Sequence, residues 1–388
     1  MKGYRPSRNV FLIGLTSFFN DMSNEMVLAI FPAFFTSVLK AGAGSLGLVE
    51  GLADGAANII KIYAGRYSDK IRKRKPFMIL GYGLSVATRP MYLLAGTVGG
   101  VIGIRVADRI GKGLREAPRD AIISFSTPKE EMGRAFGFHR MMDTLGAILG
   151  PFIAYLILRA YPEGFNIVFV VAFIIGLLAV ASLVFVRDIV GEARKGNISL
   201  GSISVFPPDF KRYLVALFLL SAGSIPVAVL LLKTQHLGFS LASIPLFYML
   251  YSLSYASFSV SAGGMSDRIG ARTVMRIGYV ILLIGYFVVA LAEGAIILAL
   301  GFLVLGLFPA LTDGVARSLA AELSPEDHRA GAYGLVNATA GFGLMFAGIA
   351  GGYIWEYFGV NYALLVGGAF VIVGIAVLST VIANGRNI

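Results

Sequence analysis

The residues of this chain that could do chemistry are charged side chains that interrupt long apolar stretches. They are Asp21, Glu25, Arg105, Asp108, Arg109 and Asp143. A charge at the depth of a membrane is costly unless it is paired or hydrated, so each one is a functional hypothesis. A carboxylate that faces an arginine in a buried cavity can exchange a proton. We therefore predict that these residues couple proton movement to the binding of a substrate.

Asp21 and Glu25 are the predicted proton acceptors, since residues four apart share one face of a helix. Their predicted partner is Arg105 or Arg109, and the spacing does not choose between the two. The alternative is a network of fixed ion pairs that only holds helices together. That alternative is favoured for a second group, namely Glu50, Asp54, Lys61 and the pairing of His139 with Asp143.

The elements that position these residues follow from composition. Hydrophobic residues make up 57% of the 388 positions and charged residues 14%, against ~25% in soluble domains. A membrane-spanning helix needs ~20 apolar residues, so twelve spans with short connections fill the chain. Their predicted positions are roughly 9–38, 44–66, 76–96, 98–124, 131–159, 163–186, 212–235, 241–264, 272–292, 294–321, 328–355 and 359–384. Backbone in hydrocarbon must be helical, which predicts an all-α membrane protein.

Lysine and arginine fall mainly in alternate connections between these spans, as in the run from Lys70 to Lys75. Positive connections stay cytoplasmic, so we expect a multi-pass protein of the plasma membrane with both termini in the cytoplasm. This topology also accounts for the net charge of +11, without a nucleic-acid partner.

The two halves of the sequence repeat one another at a shift of 197 or 198 residues. Four pairs of features match: Asp69 with Asp267, Gly81-Tyr82 with Gly278-Tyr279, Thr127-Pro128 with Ser324-Pro325, and Phe136-Gly137 with Tyr333-Gly334. We predict two six-helix halves, residues 1–186 and 212–388, joined by a cytoplasmic linker at 187–211. Arg109 and Asp143 have Gly306 and Ala340 as repeat counterparts, so the N-terminal half is predicted to handle ions.

Three motifs carry a resemblance to a known family. GRYSDKIRKR, from Gly65 to Arg74, resembles the signature loop of the major facilitator superfamily, G-x-L-A-D-R-x-G-R-R, with Arg72 in place of a Gly. The segment RVADRIGKG resembles the family's fourth-helix motif, R-x-x-Q-G-x-G. Gly146, Gly150 and Pro151 resemble an antiporter motif on the fifth helix, although small-residue packing explains them equally well.

The resemblance implies two pseudo-symmetric six-helix halves that expose a central site to each side of the membrane in turn. Antiporters of this family pair an acid on helix one with an arginine on helix four, and the resemblance implies the same pairing in this chain. Signature-loop contacts latch the cytoplasmic side in this family, which gives a predicted gate made of Gly65, Asp69, Arg119, Gly263, Asp267 and Arg268.

We expect a secondary transporter that works by proton-coupled antiport or efflux of a small amphipathic molecule. The alternatives are a transporter of organic anions and an ATP-independent flippase of lipids or lysolipids. Tyr248, Tyr251 and Tyr255 recur at helical spacing and are candidates for a cavity wall, with packing as the alternative role.

The sequence offers no motif for catalysis or for a cofactor. It has no cysteine, three scattered histidines, no HExxH and no nucleotide-binding loop. We therefore expect no enzymatic activity, no metal and no cofactor other than protons as the coupling ion. The expected partners are the substrate and membrane lipids, and the expected state is a monomer.

Overall fold

The computed structural model describes residues 6–71, 73–128, 131–188, 203–325 and 328–382, leaving aside the side chains of 62–71, 260, 263, 329 and 330. Within these ranges the chain is helical and contains no strand, which confirms the predicted all-α class. The helices are α1 Arg8–Ser37, α2 Ala43–Ile71, α3 Lys75–Met91, α4 Val98–Phe125, α5 Met132–Ala160, α6 Phe165–Val184, α7 Pro208–Ala222, α8 Val227–Leu230, α9 Leu232–His236, α10 Ile244–Ile269, α11 Ala271–Ala290, α12 Ala295–Leu323, α13 Arg329–Phe358 and α14 Val360–Ser379.

Eight of the helical segments in the described ranges are long and apolar enough to cross a membrane. They lie between Met132 and Ser379, so the chain is a multi-pass membrane protein. Among the longer helices, α1 to α4 do not meet this standard of length and apolar character. Charged and polar residues interrupt α1, α2 and α4, and α3 has only 17 residues. The prediction of twelve spans stays a prediction.

The chain divides into two compact units. The first comprises Met1–Ala41, Ile59–Lys195 and Phe239–Met249, and the second comprises Gly42–Asn58, Gly196–Gly238 and Leu250–Ile388. The first half of α2 therefore packs within the second unit, and the first turns of α10 pack within the first unit. The predicted repeat boundaries stay predictions.

In the second unit, glycines let α2 and α13 touch backbone to backbone. A β-carbon on Gly47 would overlap the carbonyl oxygen of Gly348, and one on Gly348 would lie 2.5 Å from that of Gly47. At the first turn of α2, where helix N–H groups lack intrahelical partners, the Gly44 N–H donates to Glu356 Oε2 at 2.7 Å. Small residues and one capping carboxylate thus hold this interface together.

The seventh predicted span, at 212–235, is interrupted in the structure. The helix α7 ends at Ala222 and α8 begins only after Pro226, which has no N–H and disfavours helix in the preceding residue. The buried hydroxyl of Tyr286 on α11 serves the break: it accepts the Ile225 N–H at 2.7 Å and donates to the Gly223 carbonyl at 2.8 Å. One side chain therefore replaces the hydrogen bonds that the helix gives up.

We predict that Gly47→Ala lowers the stability of the protein, because the added methyl group overlaps a carbonyl that cannot move without shifting α13. The expected cost is about 1–3 kcal/mol, typical of overpacking. Thermal unfolding in detergent measures it, with Gly103→Ala as the control because that position faces open space. Equal melting temperatures for Gly47→Ala and the wild type would show that this interface does not support the fold.

We predict that Tyr286→Phe also destabilises the protein, by about 1–3 kcal/mol, because it leaves a buried N–H and a buried carbonyl without partners. The control is Tyr357→Phe, since the Tyr357 side chain is exposed and the substitution keeps its ring. If both variants melt together with the wild type, Tyr286 does not sustain the break in the seventh span.

Candidate functional site

The first unit places α5 along the part of α1 that carries the predicted proton acceptors. A β-carbon on Gly146 would overlap the carbonyl oxygen of Phe18, and one on Gly150 would lie 2.5 Å from that of Met22. Pro151 is buried beside them. These glycines therefore bring the two helices into backbone contact at Asp21 and Glu25, and packing alone accounts for the helix-five motif.

Glu25 is half-buried, and each of its carboxylate oxygens accepts a hydrogen bond from a neutral side chain. Asn24 Nδ2 donates to Oε1 at 3.0 Å, and the buried Tyr248 hydroxyl, at the start of α10, donates to Oε2. Asp21 and Lys112 are the charged side chains that act on Glu25 electrostatically. Tyr248 thus contacts a predicted proton acceptor directly.

A buried ionic cluster joins α3 to α4. Arg89 donates to Asp108 Oδ1 at 3.0 Å, Arg105 donates to Oδ2 at 3.3 Å, and both arginines are fully buried. Arg105 also lies over the ring of Phe31, with its guanidinium carbon 5.2 Å from the ring centre. Asp108 and Arg105, both predicted as coupling residues, therefore form an ion pair enclosed by protein, which matches the structural alternative.

Arg89 connects this cluster to Glu25. Its Nε donates to Ser23 Oγ at 3.3 Å and its second terminal nitrogen donates to Asn24 Oδ1 at 3.3 Å. Asn24 in turn donates to Glu25. The predicted site residues do not include Arg89, although an arginine beside Pro90 within an apolar stretch is a local signal of a functional residue.

The structure separates Arg105 from Arg109. While Arg105 is enclosed with Asp108, Arg109 lies one turn further along α4 and is 8% exposed. Lys112 follows on the same helix with a side chain that is 42% exposed, and its ammonium lies 4.0 Å from Glu116. Lys112 is therefore more accessible to a substrate than Arg109, and the predicted site residues do not include it.

Glu116 is shared between two lysines. Lys61 on α2 lies 3.0 Å from it, and Lys112 approaches from one turn away. Lys61 was predicted to pair structurally, and the structure places it in such a pair. Two ammonium groups around one carboxylate leave this group with one positive charge in excess.

Asp143 contacts His139 at the interface of α1 and α5, and His139 in turn contacts Ser17. Its Oδ2 lies 3.5 Å from His139 Nδ1, and His139 Nε2 lies 2.8 Å from Ser17 Oγ. Asp21 acts electrostatically on Asp143 from α1. Two residues that were predicted to couple protons, Asp21 and Asp143, are therefore neighbours.

The predicted gate is described only in part. The Asp69 side chain and the surroundings of Gly65 and Gly263 lie outside what the structure describes. Asp267 and Arg268 are exposed at the end of α10. Arg119 pairs with its neighbour Asp120, with a nitrogen-oxygen distance of 2.9 Å.

The three tyrosines of the stripe on α10 make different contacts, and their role in a cavity wall stays a prediction. Tyr248 binds Glu25 in the first unit. In the second unit the Tyr255 hydroxyl donates to Asp313 at 3.2 Å, and the Tyr251 carbonyl abuts Gly306. Gly306 is the repeat counterpart of Arg109, so a packing contact stands here in place of a charge.

Comparisons with known proteins agree with this fold. The sequence profile of the Major Facilitator Superfamily matches residues 13–224 and 213–385. The chain is 35% identical over 356 residues to an uncharacterized MFS-type transporter of Methanocaldococcus jannaschii, covering 90% of this chain and 89% of that protein. It is 23% identical over 272 residues to the fosmidomycin resistance protein of Escherichia coli, covering 68% and 66%. A mutant of the nucleoside transporter NupG superposes with a TM-score of 0.83 at 16% identity, covering 96% and 99%, which shows a shared fold.

We predict that Asp108→Asn strongly destabilises the protein, because it leaves two arginines buried without a counter-ion. Breaking one partner of a buried ion pair costs about 3–5 kcal/mol. Thermal unfolding measures the loss, and Arg212→Gln, in the exposed pair with Asp209, is the control with an expected cost of at most about 1 kcal/mol. If Asp108→Asn melts at the wild-type temperature, the buried ionic cluster does not stabilise the fold.

Proposed function

Because the chain belongs to the Major Facilitator Superfamily, we propose that it is a proton-coupled secondary transporter that exports a small amphipathic molecule across the plasma membrane. The observation that carries the proposal is the setting of Glu25, a membrane-depth carboxylate held by two neutral donors. Such a group can gain and lose a proton without breaking an ion pair.

The contrast with Asp108 supports this role for Glu25. Protonating Asp108 would leave Arg89 and Arg105 buried without a counter-ion, so Asp108 stays an anion. Protonating Glu25 removes only the charge that strengthens two hydrogen bonds to neutral groups. The reversible step therefore belongs to α1, with Asp21 one turn away as the second acceptor.

Lys112 supplies a cation that faces these acids. Lys112 acts electrostatically on Glu25 and on Asp21, and its partly exposed side chain lies where a substrate could reach it. A substrate that binds beside Lys112 alters the charge around Glu25, and this is the physical basis for coupling its release to proton uptake.

The hydrogen bond from Tyr248 makes the contact between α1 and α10 depend on the protonation state of Glu25. The tyrosine hydroxyl donates to Glu25 Oε2. A charge-assisted hydrogen bond is about twice as strong as a neutral one, so protonation weakens the tie between α1 and the first turns of α10. That loss is the step that lets the proton favour one conformation over another.

Two further observations support the direction of transport and the class of substrate. The relative named for fosmidomycin resistance favours efflux of a small molecule. A second candidate is transport of an organic anion, because Lys61 and Lys112 share one carboxylate and so keep an excess positive charge. Arginine and lysine bind carboxylate and phosphate oxygens well.

The test is proton movement into proteoliposomes that contain the purified protein and a pH-sensitive dye. The compounds applied are cationic drugs, nucleosides, sugars, organic anions and lysolipids. We expect one class to drive proton flux in the wild type, and Glu25→Gln to abolish that flux because an amide cannot take up the proton. Tyr248→Phe should reduce the flux and shift its pH dependence while keeping the ring in place.

Glu293→Gln is the matched control, since this exposed loop glutamate lies outside the site. It should transport protons as the wild type does. If a compound crosses the membrane without proton movement, and Glu25→Gln transports it equally well, then the carrier is not proton-coupled through α1. In that case a uniporter or a lipid flippase is the better description.

A further inference from the structure

The interface between α1 and α5 carries a row of proton-accepting side chains. The two helices run in the same direction, because successive glycines of α5 contact successive turns of α1. Ser17 bonds His139 across a separation of 122 residues. The same separation, one turn further along both helices, places Asp21 opposite Asp143, and Glu25 follows after another turn. Titratable groups therefore recur at every turn of this interface.

The two carboxylate oxygens of Asp143 have different surroundings. Its Oδ2 faces His139 Nδ1, whereas Oδ1 is buried and has no hydrogen-bond partner among the described residues. A buried oxygen without a partner makes the anion costly, so burial favours the protonated form, whose O–H group can donate from Oδ2 to Nδ1. Two carboxylates that face one another across a buried interface share a proton rather than both ionising.

We propose that Asp143, His139 and Ser17 extend the proton path from Asp21 along the α1–α5 interface. Asp143 takes a proton from Asp21 and holds it as an O–H group that donates to His139 Nδ1, while the neutral imidazole keeps its own proton on Nε2 and donates to Ser17 Oγ. The proton that Asp21 loses is the one that Asp143 gains, so no other reactant is needed. This inference rests on the proposed proton coupling and names the residues that carry the proton after α1 receives it.

The surroundings of the row define its limits. Arg119 on α4 and Arg140 on α5 are the cations that act on both His139 and Asp143. Beyond Ser17, the next polar atom is the Tyr82 hydroxyl on α3, at 3.4 Å. Tyr82 sits in a buried cluster with Val10, Ile13, Met78 and Ile122, among others. The Arg115 guanidinium carbon lies 4.7 Å from the centre of the Tyr82 ring, and this positive charge disfavours the onward movement of a proton. The row therefore stores a proton in this conformation and does not conduct it.

The sequence allows a direct test, because the chain has only three histidines, His139, His236 and His328. Nitrogen NMR of purified protein with labelled histidine gives three sets of signals, which His236→Gln and His328→Gln assign. We expect His139 to stay neutral with its proton on Nε2, and its signals to move between about pH 5 and pH 8 as Asp143 gains and loses the proton that it donates to Nδ1. Asp143→Asn should change that response, since Nδ1 loses its proton donor.

A proton count gives a second readout that a purely structural pair would not change. Over the same pH range we expect purified Asp143→Asn to bind one proton fewer per molecule than the wild type, and His328→Gln to bind the same number. His139→Gln keeps a donor towards Ser17 but gives the Asp143 O–H group no basic nitrogen to donate to, so proton flux in the proteoliposome assay should fall by about 100-fold.

Constant His139 signals across the pH range, together with an unchanged proton count in Asp143→Asn, would overturn the inference. The proposed function is tested separately by Glu25→Gln. If Glu25→Gln abolishes proton flux while His139 does not respond to pH, the transporter is proton-coupled and the α1–α5 row is structural. If the His139 signals respond to pH but Glu25→Gln still shows proton-coupled transport, the α1–α5 row holds a proton and Glu25 is not the coupling residue.

Discussion

Hydrocarbon solvates neither charge nor free backbone groups, and the described part of this chain is organised by that constraint. Asp108 exists as a buried anion only because Arg89 and Arg105 hold both of its oxygens. Arg89 then uses its remaining donors on Ser23 and Asn24, which fixes α1 to the same cluster. The broken backbone at Gly223 and Ile225 obeys the same rule through Tyr286. In each case a side chain supplies what water cannot.

Under the proposed function, the same constraint separates the parts of the first unit that stay fixed from those that respond to a proton. A continuous line of hydrogen bonds runs from Asp108 through Arg89 and Asn24 to Glu25, and ends at Tyr248. Asp108 and Arg89 are paired ions, and protonating Asp108 would cost much free energy. Glu25, in contrast, accepts a hydrogen bond from Tyr248, which is a neutral donor. A rigid base beside a titratable end is what a coupled carrier requires, since the proton then changes one contact without loosening the rest.

Much of this could be predicted from sequence, for reasons that are local. Apolar length predicts the helices, the signature loop predicts the family, and four-residue spacing places Asp21 with Glu25 and His139 with Asp143 on shared faces. The family resemblance is confirmed. Spacing also indicated that ionic residues gather in the first half, and the described contacts of α1, α3, α4 and α5 are consistent with it.

What could not be predicted depends on contacts between distant residues. Tyr248 bonds Glu25 across 223 positions, and Arg89 bonds Asp108 across a helix connection, so neither pairing follows from periodicity. Arg105 and Arg109 look alike in sequence and differ only in what surrounds them. The break after Ala222 needed both Pro226 and a tyrosine from another helix, of which only the proline is a local signal.

The central claim is that Glu25 exchanges a proton while Asp108 remains ionised, and infrared spectroscopy of the purified protein tests it most directly. The carbonyl stretch of a protonated carboxyl group should grow as the pH is lowered. The account predicts that Glu25→Gln removes part of this band, whereas Glu293→Gln leaves it intact within the same pH range. A band that is identical in Glu25→Gln and in the wild type would contradict the account, because Glu25 would then not be a site of proton exchange.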